Sequence, residues 1–178
     1  MQLLAIILGL AASASAVDIS LRYRSGCDSR SGGYTCTNVN PNSCCGIPTG
    51  SADSAIIYAV PIDWFLEFRG HEGGNCGPVR TSESFGGVTE RCLNAGPYTG
   101  AGYGFRSNKR EEQESACSLT PEGCSSSTMA DVLFLADGQK YNIAGMDHGL
   151  VEELAGYAHN GSVAADIPEI FKPFEIAA

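Results

Sequence analysis

The eight cysteines, Cys27, Cys36, Cys44, Cys45, Cys76, Cys92, Cys117 and Cys124, restrict this chain more than any other feature. The count is even, no C-x2-C pair occurs and no histidine sits beside a cysteine pair, so the pattern reads as a disulfide framework with no metal site. Cys44 and Cys45 are neighbours, and a bond between them would close a small ring through a distorted peptide. The two are therefore expected to bond in different directions. If the first six pair among themselves, fifteen connectivities exist and twelve avoid the vicinal bond; the sequence leaves all twelve open. Each bridge is expected to contribute about 2–4 kcal/mol.

The N-terminus fits the oxidising compartment that such a framework needs. Leu3 to Ala12 is an apolar run of signal-peptide length, shorter than the roughly 20 residues that span a bilayer. Ala14 and Ala16 supply a small-x-small cleavage pattern, although the leader lacks Lys and Arg. Residues 1–16 are read as a signal peptide cut after Ala16, and the product as secreted and extracellular, with no membrane span. A mature chain of 162 residues, 178 less 16, can bury a real core that the bridges reinforce.

Charge divides the chain. Residues 17–110 carry nine Lys and Arg against eight Asp and Glu, whereas residues 111–178 carry two against twelve. The step falls at Lys109-Arg110, in a polar stretch with six cysteines before it and two after. The expected organisation is a β-rich six-cysteine module over residues 17–110 and an acidic hairpin–helix module over residues 111–178. Lys109-Arg110 also matches a dibasic site cut by Kex2-like proteases. The net charge of −9 argues against nucleic acid as a partner, because a surface that tracks phosphates is basic.

Local patterns predict an α+β fold: a disulfide-stapled antiparallel β sandwich or small barrel, followed by a β-hairpin plus helix. Ile19, Leu21 and Tyr23 alternate with polar residues, and Ile62, Trp64, Leu66 and Phe68 alternate with Asp63, Phe65, Glu67 and Arg69. Further strands are predicted over 55–60, 87–93 and 103–106, with turn residues between them. Asp137-Gly138 predicts a two-residue hairpin turn that sets Phe134 opposite Tyr141 and Val132 opposite Ile143. A helix capped by Asp147 follows, with Leu150, Val151, Leu154, Tyr157 and Ala158 on one stripe and Asn160-Gly161 as its stop. Ile167, Phe171 and Phe174 mark the tail as an apolar strap.

Candidate chemistry is sparse. Glu67, Arg69 and His71 lie two residues apart, on one strand face, and an acid, an arginine and a histidine around a phosphate would suit a secreted ribonuclease. The favoured reading is the solvated face of an amphipathic strand. His148 and His159 are too far apart to share a ligand. No nucleophile elbow, zinc-protease motif or phosphate loop is present, so no catalytic residue and no cofactor is expected. Asn160-Gly161-Ser162 is an N-glycosylation sequon.

Cys27-x8-Cys36-x7-Cys44-Cys45-Gly46 resembles the opening of hevein-type chitin-binding modules. The spacing before the adjacent pair is longer, and the aromatic platform with its next cysteine is missing. The whole chain resembles the small secreted cysteine-rich proteins of filamentous fungi, through that opening, Gly74-Asn75-Cys76, Lys109-Arg110 and the hairpin DGQKYNI with its helix. That resemblance implies a non-catalytic interaction protein, an effector or virulence-type factor acting on an extracellular or host protein. The alternatives are a Kex2-processed toxin, a ribonuclease-like enzyme, or a cell-wall glycan binder using aromatics such as Phe65 or Tyr34.

Overall fold

The computed structural model describes residues 17–106 and 126–177. In chain order the strands are β1 (Val17–Arg22), β2 (Gly33–Val39), β3 (Ser43–Gly46), β4 (Ser54–Tyr58), β5 (Phe65–His71), β6 (Val79–Gly86), β7 (Arg91–Leu93), β8 (Gly100–Phe105), β9 (Ser126–Met129), β10 (Val132–Phe134), β11 (Lys140–Asn142) and β12 (Glu175–Ile176). One α-helix, α1 (His148–His159), and short 3-10 turns complete the described α+β fold.

The strands form two sheets. The larger runs β12-β11-β10-β2-β1-β4-β7 and the smaller β6-β5-β8-β3-β9. Neighbours are antiparallel except β3 and β9, which run parallel. β1 shows why the sheets pack: Val17, Ile19 and Leu21 are buried in the shared core, while Asp18, Ser20 and Arg22 take the opposite face. The core joins these residues to Leu66, Phe68, Ala101 and Tyr103 of the smaller sheet and to Val151, Leu154 and Ala158 of α1. The Tyr103 hydroxyl, buried between the sheets, donates to the Val39 carbonyl at 3.0 Å.

Three disulfides link the six cysteines that lie among the described residues: Cys27–Cys92, Cys36–Cys45 and Cys44–Cys76. The neighbours Cys44 and Cys45 bond in different directions because successive strand residues face opposite sides. Cys45 reaches across to Cys36 on β2 and joins the two sheets. Cys44 instead holds the loop after β5 through Cys76. Cys117 and Cys124 lie outside the described residues, as do Ala16, Lys109 and Arg110.

Segments on either side of Lys109-Arg110 share both sheets. β9 pairs with β3 in the smaller sheet and β10 pairs with β2 in the larger. Releasing the C-terminal segment as a free module would therefore strip β9 from the smaller sheet and β10, β11 and β12 from the larger, and uncover Leu133 and Leu154, both fully buried.

The hairpin register differs from the sequence expectation by one residue. Leu133 pairs with Tyr141 and Phe134 with Lys140. Leu135 N–H donates to the Gln139 carbonyl at 2.9 Å, so three residues, not two, form the turn. Gly138 takes φ of 90° and the Asp137 carboxylate accepts from Gln139 N–H, the arrangement of a three-residue loop with a left-handed glycine. One residue of slip exchanges the faces. Leu133, Leu135 and Tyr141 enter the core, and Phe134 turns to the outer face beneath the Arg22 guanidinium, 5.0 Å from its ring. The helix agrees with its signals: Asp147 accepts from Gly149 N–H at 2.9 Å, and Asn160 ends it. Phe171 is buried and Phe174 packs partly against the same core.

Candidate functional site

Glu67, Arg69 and His71 sit on β5, the second strand of the smaller sheet, on the face turned away from Leu66 and Phe68. That face is not solvated along its length. Arg69 is 1% exposed and His71 0%, whereas Glu67 is partly open. The cause lies in the neighbouring strands. Across β5, Glu67, Arg69 and His71 stand opposite Gly104, Gly102 and Gly100 of β8, so no side chain there holds them off the sheet. A Cβ at Gly104 would meet the Asn42 amide oxygen at 2.6 Å and the Arg69 guanidinium at 3.2 Å, so the bare backbone is what lets Arg69 lie flat. The loop 72–78, tied down by Cys44–Cys76, folds back on His71.

Internal partners occupy the polar groups. Arg69 Nε and Nη2 donate to one carboxylate oxygen of Glu67 at 3.2 and 2.9 Å, and Ser82 Oγ donates to the other at 2.6 Å. His71 Nδ1 lies 2.7 Å from the Gly77 carbonyl, which only accepts, so Nδ1 carries the proton. Burial alone would raise the Glu67 carboxyl. Hydrogen bonds from Ser82 and Arg69, with the charges of Arg69 and Arg106, outweigh it and hold the group below the usual carboxylate range. Burial pushes the His71 imidazole below its ordinary value, and the Arg69 charge adds to that against the Gly77 hydrogen bond. The result is a neutral imidazole beside a compact ion pair.

These shifts set a pH window. Glu67, depressed in the fold, contributes fully above the unfolded carboxylate value near 4.3 and loses that contribution as pH falls below it. His71, neutral in the fold, loses its contribution as pH falls through about 6.5, where the unfolded imidazole takes a proton first. At the alkaline end burial raises Tyr34 and Tyr141 and pushes Tyr103 up to about 12, so stability falls once unfolded phenols ionise above about pH 10. Urea unfolding across pH should give a plateau between roughly pH 7.5 and 9, with decline on both sides. A flat profile from pH 7.5 to 5.5 would contradict the buried neutral His71.

The remaining sequence candidates scatter. His148 is exposed and lies 3.7 Å from Glu152; His159, at the far end of α1, packs edge-on against Tyr23. Asn160 is exposed at the end of the helix. Tyr34 is fully buried and is no sugar platform, whereas Phe65 is 41% exposed. Beside Phe65 stands Trp64, whose ring meets Phe105 edge-on with centroids 4.7 Å apart. Ile62 at 68% and Phe105 at 49% exposure complete an apolar end to the smaller sheet. Among the described residues no three His, Cys, Asp or Glu side chains gather as metal ligands, and no helix is long and apolar enough to cross a membrane.

Sequence reasoning missed a cleft of about 260 Å³ on the outer face of the larger sheet, bordered by Asp18, Ser20, Arg22, Thr35, Tyr58 and Lys140. Arg22 lines it: Nη1 donates to the Asp28 carbonyl at 2.9 Å and Nη2 to the Tyr58 hydroxyl at 2.8 Å, over the Phe134 ring. Its signal was the alternation of Asp18, Ser20 and Arg22 opposite the core residues of β1.

Comparison with known proteins places these features in a lineage. Residues 18–131 match the N-terminal domain of the ARB_05566 family and residues 136–178 match its C-terminal domain. The chain belongs to the ARB_05566 family. A fungal relative from Arthroderma benhamiae, described as an "Uncharacterized secreted protein", is 27% identical over 112 residues. The match covers 59% of this chain and 54% of the relative, so the chain spans about half of that protein's length. No solved structure matches the chain. This family member is a secreted, disulfide-bonded protein. The family's two domains divide around β10, whose strand neighbours come from both of them.

Proposed function

We propose that this protein is a non-catalytic interaction protein of the extracellular space, an effector-type factor that acts by binding a partner on a host, a competitor or a cell wall. The observation that carries this reading is the burial of the one acid–arginine–histidine set among the described residues. Arg69 has a side chain 2% exposed and spends two donors on Glu67. Catalysis by such a set needs a carboxylate lone pair, a titrating imidazole and a guanidinium that can all reach substrate. Here they hold a sheet and a loop together.

Binding has a surface to use. Ile62, Phe65 and Phe105 are exposed at the end of β5 and β8, beside the half-buried Trp64, and aromatic residues in such positions dominate binding energy. Fluorescently labelled protein should be retained on intact cells or wall fragments. The double variant Ile62→Ser/Phe105→Ser should lower retention at least about tenfold, as loss of one hot spot would. Its thermal midpoint should stay within the range of ordinary surface changes. Equal retention of the two proteins would remove this surface from the account.

A further inference from the structure

The sequon at Asn160 and a cavity of about 490 Å³ meet at the same place. The cavity lies between α1 and the loop before β4, and Asn160 forms part of its wall together with Tyr23, Thr49, Ser51, Glu152 and Gly156. Asn160 is exposed at the last turn of the helix, its backbone N–H bonded to the Gly156 carbonyl at 3.1 Å. Gly161 turns the chain at φ of 78°, and Ser162 N–H returns to the Tyr157 carbonyl at 3.0 Å. Both sequon ends are thus fixed by the turn, and the asparagine side chain stands at the rim.

The cavity has the composition of a sugar seat. Tyr23 is held by two edge-on ring contacts, Tyr34 at 5.9 Å and His159 at 5.0 Å, so its ring is fixed in place. A sugar's C–H face packs on such a ring, while Thr49, Ser51 and the Glu152 carboxylate offer partners to its hydroxyls. On the helix side the floor is bare, since a Cβ at Gly156 would meet nothing within 4 Å.

We propose that Asn160 carries an N-linked glycan whose first sugar occupies this cavity against Tyr23, making the glycan part of the fold's surface. The inference rests on secretion, and it holds whether or not the protein is catalytic. The donor is a polyprenyl-pyrophosphate oligosaccharide of the secretory pathway. Asn160 Nδ2 bonds to the anomeric carbon, the carbon–oxygen bond to pyrophosphate breaks with its electron pair leaving on the phosphate, and the amide gives up one proton to the transferase's base.

Expression through a yeast secretory pathway tests this in two readouts. Intact mass should show hexose and N-acetylhexosamine that disappear in Asn160→Gln. The glycosylated protein and a form trimmed to one residual sugar should melt together, and Asn160→Gln about 2–4 °C lower. Gly156→Leu, which fills the cavity from the helix, should abolish that difference while preserving the fold. An unmodified Asn160 would overturn the proposal. A melting difference that persists unchanged in Gly156→Leu would overturn the seating.

Discussion

Glu67→Ala is expected to destabilise the protein by about 3 kcal/mol, toward the low end for breaking a buried ion pair because the Glu67 side chain is 22% exposed. The substitution leaves the Arg69 guanidinium, itself almost fully buried, without the carboxylate that accepts two of its N–H groups. A drop in thermal midpoint of roughly 6–12 °C follows for a chain of this size. Glu67→Ala/Arg69→Met should be milder than Glu67→Ala, because an apolar side chain of similar length needs no counterion on that face. Equilibrium unfolding in urea measures both. A catalytic trio behaves the other way: its acid can be removed with little cost, or even a gain, in stability. Glu67→Ala within about 0.5 kcal/mol of wild type would contradict the structural role.

The second large effect belongs to Cys27–Cys92, whose partners are 65 residues apart. The chain-entropy relation gives about 4 kcal/mol for a loop of that length, against about 2.6 for the nine-residue separation of Cys36–Cys45. Cys27 sits on a 3-10 turn and Cys92 on β7, the edge strand of the larger sheet. Replacing both with serine should fray that edge, and with it the pairing of β4 with β7. The expected order of stability loss under denaturant is Cys27/Cys92 above Cys36/Cys45. The reverse order would mean that the sheet-to-sheet contact of Cys36–Cys45 outweighs loop entropy.

Much of this fold was legible where burial is one-sided. β1 alternates cleanly because one face meets the core, and α1 carried both its cap and its stop in local chemistry. Legibility failed where the determining contact is distant. β6 reads as nothing because seven of its eight residues are not buried, Phe85 being the exception, and its pairing with β5 supplies the strand. The hairpin slipped because an Asp-Gly pair suits a two-residue turn as well as a three-residue one with the glycine left-handed, and only the flanking register decides. The trio's alternation was correct in the sequence, yet its burial was not readable. That burial depends on three glycines of β8, some thirty residues further on, and on a loop whose tether, Cys44–Cys76, was one of many open pairings. Lys109, Arg110, Cys117 and Cys124 fall outside the described residues, so the junction between the charge halves is traced only by the strands that flank it.

The non-catalytic reading is tested most directly by incubating the purified, natively secreted protein with single-stranded RNA, beside His71→Ala. The account predicts no cleavage above background by either protein, because His71 and Arg69 are closed to a phosphate. RNA cleavage by the wild type that disappears in His71→Ala, with the variant still folded, would contradict it.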